Sequence, residues 1–506
     1  MKLRFDYQVI PALPKLAWLV QAIPNEGIVK VICGAGVERH RDFFATGAWD
    51  GAFTDASFDT SETFYGTGAK LTDEGVLFVT PSHSLERLLS HKNDKGIFFS
   101  NSLPLIMEKN GLELDRKVNQ YEKILCSMLD GPQKMQRDIP LANGETLQQY
   151  IVSTMLMKPD GTMTVKTRKR LRPFTSFEDY YSRITATLKA VAENAKSPDR
   201  ANSRFGIVST ISSGYDSPAC AAIAKQAGCT RVLSLSGGIY DSDDGSKAAR
   251  EMGYTDIIKR DKELYRQKTD CIDAEFISSG ELATELQFSV FEDMFADNLV
   301  VLGARGSFWD KAFSMTEDYE MKGYYYFETS VSFTENALKN NYLIVPLPAY
   351  GASVCYSVRD ISNSEEMKPW SMGGTYDKPI PRRIAEAAGA KRESFGQKKI
   401  GGGFSLGYDS RKRMSKKMTF EGYQSFSEFE KKRLGAANSF NKRHNRRVFH
   451  LRMMPVYLNK GLSVVGLSKR FKQKPPGIAN PGAPADAVFW AVDIMKQRYA
   501  SALRSI

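Results

Sequence analysis

Phe205-Gly206-Ile207-Val208-Ser209-Thr210-Ile211, then Ser212-Ser213-Gly214-Tyr215-Asp216-Ser217, then Pro218 to Ala227, reads as strand, polar loop and helix. Pro218 suits a first helical turn, where a missing N–H costs nothing, and Ser217 is expected as the N-cap. The loop therefore aims backbone N–H groups and three hydroxyls at one spot, at the positive end of a helix. That is an anion site by construction. Asp216 is out of place beside a phosphate unless it binds Mg²⁺ or a loop N–H.

Outward from this stretch, strands and helices alternate from Arg204 onward, the signature of a parallel α/β sheet with flanking helices. Arg231 to Gly238 is the next strand; its end at Leu235, Ser236 and Gly237 turns small, and Asp241, Asp243 and Asp244 open a helix through Ala248 and Met252. Leu299 to Leu302 is a third strand, leading into Gly303-Ala304-Arg305-Gly306-Ser307-Phe308-Trp309-Asp310. Upstream, Thr175-Ser176-Phe177-Glu178 has the form of a capping box before an amphipathic helix running to about Ala195. Earlier still, short β-type runs (Gly27–Cys33, Gly75–Thr80, Gly96–Ser102, and an exposed one from Met163) predict a mostly β, antiparallel N-terminal domain. The expected division is 1–165 and 170–506.

The 506 residues are too many for one ordinary core, and 42% hydrophobic with 25% charged is globular. Six scattered cysteines without a CxxC pair, and five scattered histidines, argue against zinc ribbons, disulfide scaffolds and His-rich metal sites. No run approaches the roughly 20 apolar residues of a membrane span, and no apolar run follows Met1-Lys2-Leu3. The expected location is the cytoplasm. The net charge of +12 is concentrated between Arg382 and Lys474, which fits a solvated helical face or an anionic partner. Nothing in the composition fixes an oligomeric state.

Ser212 to Ser217 resembles the Ser-Gly-Gly-x-Asp-Ser pyrophosphate loop of the ATP pyrophosphatase superfamily, which includes asparagine synthetases, β-lactam synthetases and tRNA-thiolating enzymes. Ser213 stands where the family has its first glycine. The resemblance implies an adenine-nucleotide α-hydrolase-like domain that binds ATP and Mg²⁺. It implies that Ser212, Ser213, Gly214, Tyr215, Asp216 and Ser217 hold pyrophosphate, and that Leu235, Ser236 and Gly237 lie along the adenine. Gly303 and Gly306 belong to a loop similar to the synthetases' Leu-Ser-Gly-Glu-Gly-Ala-Asp-Glu, with Asp310 standing in for the family's second metal-binding aspartate beside Asp216. Tyr376 to Arg383 opens a helix, and after it Lys398 or Lys399 matches the lysine that reaches the α-phosphate. A positioned lysine there offsets the repulsion between an attacking carboxylate and the phosphate.

Phe43 to Phe53 and Phe98 to Leu103 look like pieces of a glutaminase-type sandwich, but Met1-Lys2-Leu3 lacks the leading cysteine that glutaminases need. A degenerate glutaminase-like domain is implied, as in β-lactam synthetases, without glutamine hydrolysis. The expected activity is carboxylate adenylation, releasing pyrophosphate, followed by attack of ammonia or an amine and release of AMP. The expected partners are a small or carrier-linked carboxylate and an amine donor, with peripheral association to an anionic carrier through the basic C-terminal third, and not a nucleic acid. Competing readings are an RNA-thiolating ATP pyrophosphatase and a catalytically degenerate scaffold.

Overall fold

The computed structural model describes residues 3–118, 121–130, 135–237, 243–304, 306–311, 331–374, 376–397, 404–406, 410–434 and 483–505. The chain is a mixed α/β protein with a strand-rich N-terminal region and a parallel sheet after it.

The N-terminal region is built from two sheets. One has seven strands in the order Arg4–Val9, Ile28–Cys33, Trp18–Ala22, Gly96–Ser100, Leu88–Asn93, Thr146–Tyr150 and Asp138–Pro140. The other has six: Met163–Thr167, Ser153–Met157, Gly75–Val79, Phe64–Thr72, Phe43–Trp49 and Glu38–Arg39. Pairing is antiparallel except between Arg4–Val9 and Ile28–Cys33. Alternation drives the packing: Val29 and Val31 are buried while Ile28 before them and Lys30 between them are exposed. The inward side chains of both sheets meet in one core, where Phe78 stacks on Phe99 at 3.8 Å and Trp18 meets Phe44 edge-on at 5.0 Å.

The second sheet system is a five-stranded parallel sheet, ordered Asp256–Asp261, Arg231–Ser236, Gly206–Thr210, Asn298–Leu302, Leu343–Pro346. In chain order this is 3-2-1-4-5, so the chain reverses direction of travel between Gly206–Thr210 and Asn298–Leu302. Both faces are covered, and the residues sort by period two. Ile207, Val232, Leu299, Val301, Leu343 and Val345 face one core. Val208, Leu233, Val300, Leu302 and Ile344 face the other. The edge strand Asp256–Asp261 has no fully buried residue, as an edge permits.

The helix Phe177–Ala195 packs between the strand Phe43–Trp49 and the strand Gly206–Thr210, and one continuous core runs through both halves. Its cap is offset by one residue from the capping box expected at Thr175 and Glu178. Ser176 is the N-cap, accepting from the Asp179 amide at 3.1 Å, and Asp179 in turn accepts from the Thr175 amide at 3.1 Å. With hydroxyls at two successive positions, the choice fell to the one whose partner carboxylate also ties down the preceding amide. The helix Ala483–Leu503 returns to the N-terminal region and packs on the helix Leu103–Asn110. Lys496 donates to the Leu112 carbonyl at 2.8 Å, and Phe489 meets Tyr121 edge-on. Among the described residues no helix is long and apolar enough to cross a membrane.

Candidate functional site

The turn after the central strand lies at the C-terminal end of the parallel sheet, beside the point where the strand order reverses. Open α/β sheets bind ligands in that crevice, because loops diverge there and leave room between them. Helix formation begins two residues earlier than the sequence suggests. Tyr215 is the N-cap with helical dihedrals (φ −82°, ψ −46°), and the helix runs Asp216–Gln226. Ser217 is therefore inside the first turn, not the cap. Its hydroxyl folds back to accept from the Ser212 amide at 2.8 Å and shares a hydrogen with the Ser212 hydroxyl, also at 2.8 Å. The Gly214 amide donates to the Ser212 hydroxyl at 3.3 Å, so the two serines hold the loop closed on itself. The first amides of the helix still have no acceptor within the helix.

Tyr215 anchors the loop from below and is 1% exposed. Its hydroxyl accepts from Arg382 at 2.6 Å, and the guanidinium of this buried arginine lies 4.8 Å from the ring centroid. Tyr376 meets the same ring edge-on at 4.8 Å. The Gly396 amide donates to the Ser213 carbonyl at 2.7 Å. Gly396 has φ +65°, and a Cβ there would stand 2.5 Å from the Tyr215 ring, so only glycine fits without a shift.

Asp216 meets the segment from Tyr376 to Arg383. The Lys378 ammonium donates to both Asp216 oxygens, at 2.9 and 2.7 Å, and to the Gly306 carbonyl at 2.9 Å. Its three donors are thereby all engaged. Lys378 is 5% exposed. The loop from Gly303 presses directly on the pyrophosphate-type loop. A Cβ on Gly303 would lie 2.4 Å from the Ser217 nitrogen, and one on Gly306 would lie 2.6 Å from the Asp216 carboxyl carbon. Glycine at 303 lets the two backbones approach this closely, and glycine at 306 leaves room for the Asp216 carboxylate.

The remaining sequence candidates are placed as follows. Leu235, Ser236 and Gly237 form the half-buried end of the neighbouring strand, and Gly237 (φ +81°) lies against the Asp261 carboxylate. Ser213 donates through its amide to the Asp243 carbonyl at 3.2 Å and through its hydroxyl to the Asp243 carboxylate at 3.4 Å. Burial raises the Asp243 pKa above the ordinary carboxylate value. Burial pushes Asp244 the same way, but hydrogen bonds from Lys259, Ser246 and Ser234 outweigh it and hold that carboxyl below the usual range. The Asp310 amide closes a turn onto the Ser307 carbonyl at 3.1 Å. Beside it, Trp309 is buried and donates to the Tyr180 hydroxyl at 2.9 Å. The Lys311 amide donates to the Asp377 carbonyl, which knits this loop to the residue before Lys378. Lys398, Lys399, Gly238, Asp241 and Arg305 lie outside the described residues.

Among the described residues, no group of three or more His, Cys, Asp or Glu side chains could hold a metal ion. Both oxygens of Asp216 are engaged by an ammonium, so a cation bound there would have to displace Lys378.

Lys378, Arg382 and Tyr376 were not singled out by the sequence reading. A signal was present: Lys378 stands at the N-terminus of the helix Pro379–Ala387, where a cation is electrostatically disfavoured. A lysine at that position marks a charge whose partner lies elsewhere.

No protein-family model matches the sequence, and no curated protein does. Among solved structures, the chain is similar to a glutamine-dependent NAD⁺ synthetase from Acinetobacter baumannii in complex with ADP. The identity is 17% and the TM-score 0.20, and the match covers 49% of this chain and 44% of the other, less than half of that protein's length.

Proposed function

We propose that the chain is an ATP-dependent ligase that adenylates a carboxylate and passes the acyl group to ammonia or an amine, forming an amide. The observation that carries this reading is the placement of Ser212–Ser217: a hydroxyl-rich turn and helix N-terminus at the reversal point of a 3-2-1-4-5 parallel sheet, with Lys378 set against it. Its likeness to the pyrophosphate loop of asparagine synthetase-like enzymes supports the same reading.

In this reading the β- and γ-phosphates of ATP seat on the loop amides and the dipole of the helix Asp216–Gln226, with Mg²⁺ arriving on the nucleotide as part of the substrate. Lys378 turns from Asp216 towards the phosphates and carries positive charge to the leaving pyrophosphate. Asp216 then accepts from loop donors or faces the substrate's metal. The half-buried end of the strand Arg231–Ser236, at Leu235, Ser236 and Gly237, flanks the adenine. The substrate carboxylate attacks the α-phosphorus in line, the bond to the bridging oxygen breaks, and pyrophosphate leaves as a unit. Lys398 or Lys399 attends the α-phosphate. The amine next attacks the acyl carbon, loses a proton, and AMP departs. No residue of the loop resembles the Walker lysine that tracks a departing γ-phosphoryl group.

Isotope exchange between pyrophosphate and ATP, across a panel of carboxylic acids, tests the reading. Acid-dependent exchange with AMP as the nucleotide product is expected. ADP as the main product overturns the mechanism, and absence of both nucleotide binding and exchange favours the scaffold reading.

A further inference from the structure

Among the described residues the most exposed large apolar side chain is Phe420, at 63%; Leu264 and Met372 follow at 49%. The segments that carry Phe420 and Leu264 are joined through Arg266. Arg266, two residues after Leu264, donates to the Lys416 carbonyl at 2.8 Å and the Ser415 carbonyl at 2.9 Å, and its guanidinium lies 4.7 Å from the Phe420 ring centroid. Tyr265 donates through its hydroxyl to the Lys417 carbonyl at 2.7 Å. The segment bearing Leu264 is thus clamped to the end of the helix Arg411–Lys417, just before the helix Phe420–Leu434 begins.

Phe420 is not a core residue left outside. Met414, Met418 and Phe426 on either side are buried, so the apolar face of these helices is already spent inward. The connection is also fixed. The Thr419 amide donates to buried Asp273 at 3.0 Å, and Glu421 accepts from the Asp270 and Cys271 amides at 3.1 and 3.2 Å. A rigid link therefore presents the ring to water.

The helix that precedes it is basic. Lys412, Arg413 and Lys416 are exposed, share a helix face by their spacing, and have no carboxylate partner among the described residues. Their neighbours are engaged: Arg411 pairs with Glu430, and Lys417 donates to the Ser405 carbonyl. The edge strand Asp256–Asp261 runs directly into the segment Lys262–Gln267, so the patch lies at the C-terminal end of the parallel sheet, the same end as the loop Ser212–Ser217.

We propose that this patch docks the chain on an anionic lipid surface. Exposed apolar tips beside a helix face of cations that have no carboxylate partner among the described residues match such a surface: the tips leave water among the acyl chains while the cations meet the headgroups. Single-stranded nucleic acid fits less well. It calls for a run of aromatic platforms, whereas here one ring face carries Arg266 and the companion is an aliphatic leucine. Docking in this orientation turns the loop end of the sheet towards the membrane, where a carrier-linked acid would be presented. The docking itself does not rest on the ligase reading.

The full chain is sedimented with phosphatidylcholine vesicles, with and without phosphatidylglycerol, and with single-stranded RNA as a separate probe. Binding only to the anionic vesicles is expected, falling as salt rises. Lys412→Gln, Arg413→Gln and Lys416→Gln together should lower vesicle affinity about tenfold or more. Phe420→Ser should lower it several-fold, and Lys412→Arg with Lys416→Arg should retain it, all with unchanged circular dichroism. Equal binding to both vesicle types, no vesicle binding, or wild-type binding by the triple glutamine variant overturns the proposal. RNA binding lost in that variant, without vesicle binding, overturns it in favour of nucleic acid.

Discussion

Two regions of this molecule bury charge, and they do so differently. At the seam between the halves, Glu38 is 1% exposed and accepts from three successive amides, those of Ala201, Asn202 and Ser203, at 3.1, 3.0 and 2.7 Å. Nearby Arg200 donates to the Asn194 carbonyl at 2.8 Å and the Gly47 carbonyl at 2.7 Å, with its guanidinium 4.5 Å from the Phe53 ring centroid. Burial lowers its pKa to about 10, against a small opposing pull from Glu38. These charges are met mainly by backbone that cannot leave, with the Asn194 side chain adding one acceptor for Arg200 at 2.7 Å. At the end of the parallel sheet, Asp216 and Lys378 pair side chain to side chain, with the Gly306 carbonyl as Lys378's third acceptor. One arrangement is glue; the other can exchange partners. The difference lies in which atoms do the satisfying, not in how deeply the charges are buried.

Breaking that contrast should give the largest effect at the site. Lys378→Ala is expected to reduce acid-dependent pyrophosphate exchange by about 10²- to 10³-fold, the usual result of removing one charge that stabilises a transition state. The fold should survive, as read by circular dichroism. Exchange within threefold of wild type, roughly the noise of such comparisons, would return Lys378 to the class of the seam. Arg200→Ala should behave oppositely. It strands the Gly47 and Asn194 carbonyls and costs about 3 kcal/mol of stability in denaturant melts. Activity per folded molecule should hold.

A third change sharpens the comparison without touching a charge. Gly303→Ala forces a Cβ against the Ser217 amide and should cost about 1–3 kcal/mol, as overpacking does. ATP affinity should fall with it, because the strained atoms are those of the loop itself; isothermal titration would read the two effects separately.

The smallest effect concerns pH at the seam. Glu335 accepts from Ser102 at 2.7 Å and Tyr499 at 2.6 Å, and burial pushes its carboxyl up to about 7. A carboxyl whose folded pKa is raised holds its proton longer in the native state. Its contribution to stability is present below the unfolded value and is lost as pH rises through about 7. Urea melts between those limits should show stability falling with pH, and Glu335→Gln should flatten the slope. An unchanged slope in that variant assigns the dependence to other groups.

Much of the fold was legible because period and length are local properties. The runs at Gly27–Cys33, Gly75–Thr80 and Gly96–Ser102 became strands within two residues of their expected bounds, and strand-loop-helix held at Phe205–Ala227. The caps moved by one residue at Ser176 and by two at Tyr215, since neighbouring hydroxyls compete and only tertiary contact decides between them. The site was less legible. Ser212 to Ser217 could be read from one stretch, but the approach of Gly306 and Lys378 to Asp216 joins residues far apart in sequence. No local pattern carries that distance. Lys378 also sat beside two later lysines that answered the expected motif better.

The return of Ala483–Leu503 onto Leu103–Asn110 has a consequence for biosynthesis. More than 370 residues separate the two helices along the chain. At about 5–20 residues per second, translation leaves the apolar side of Leu103–Asn110 without its partner for roughly 20–75 seconds. Leu105, Ile106 and Met107, all fully buried once the fold is complete, face water or a chaperone during that interval. The early half of the protein can form its sheets as it emerges, but it stays adhesive on one flank until a helix encoded far downstream arrives to cover it.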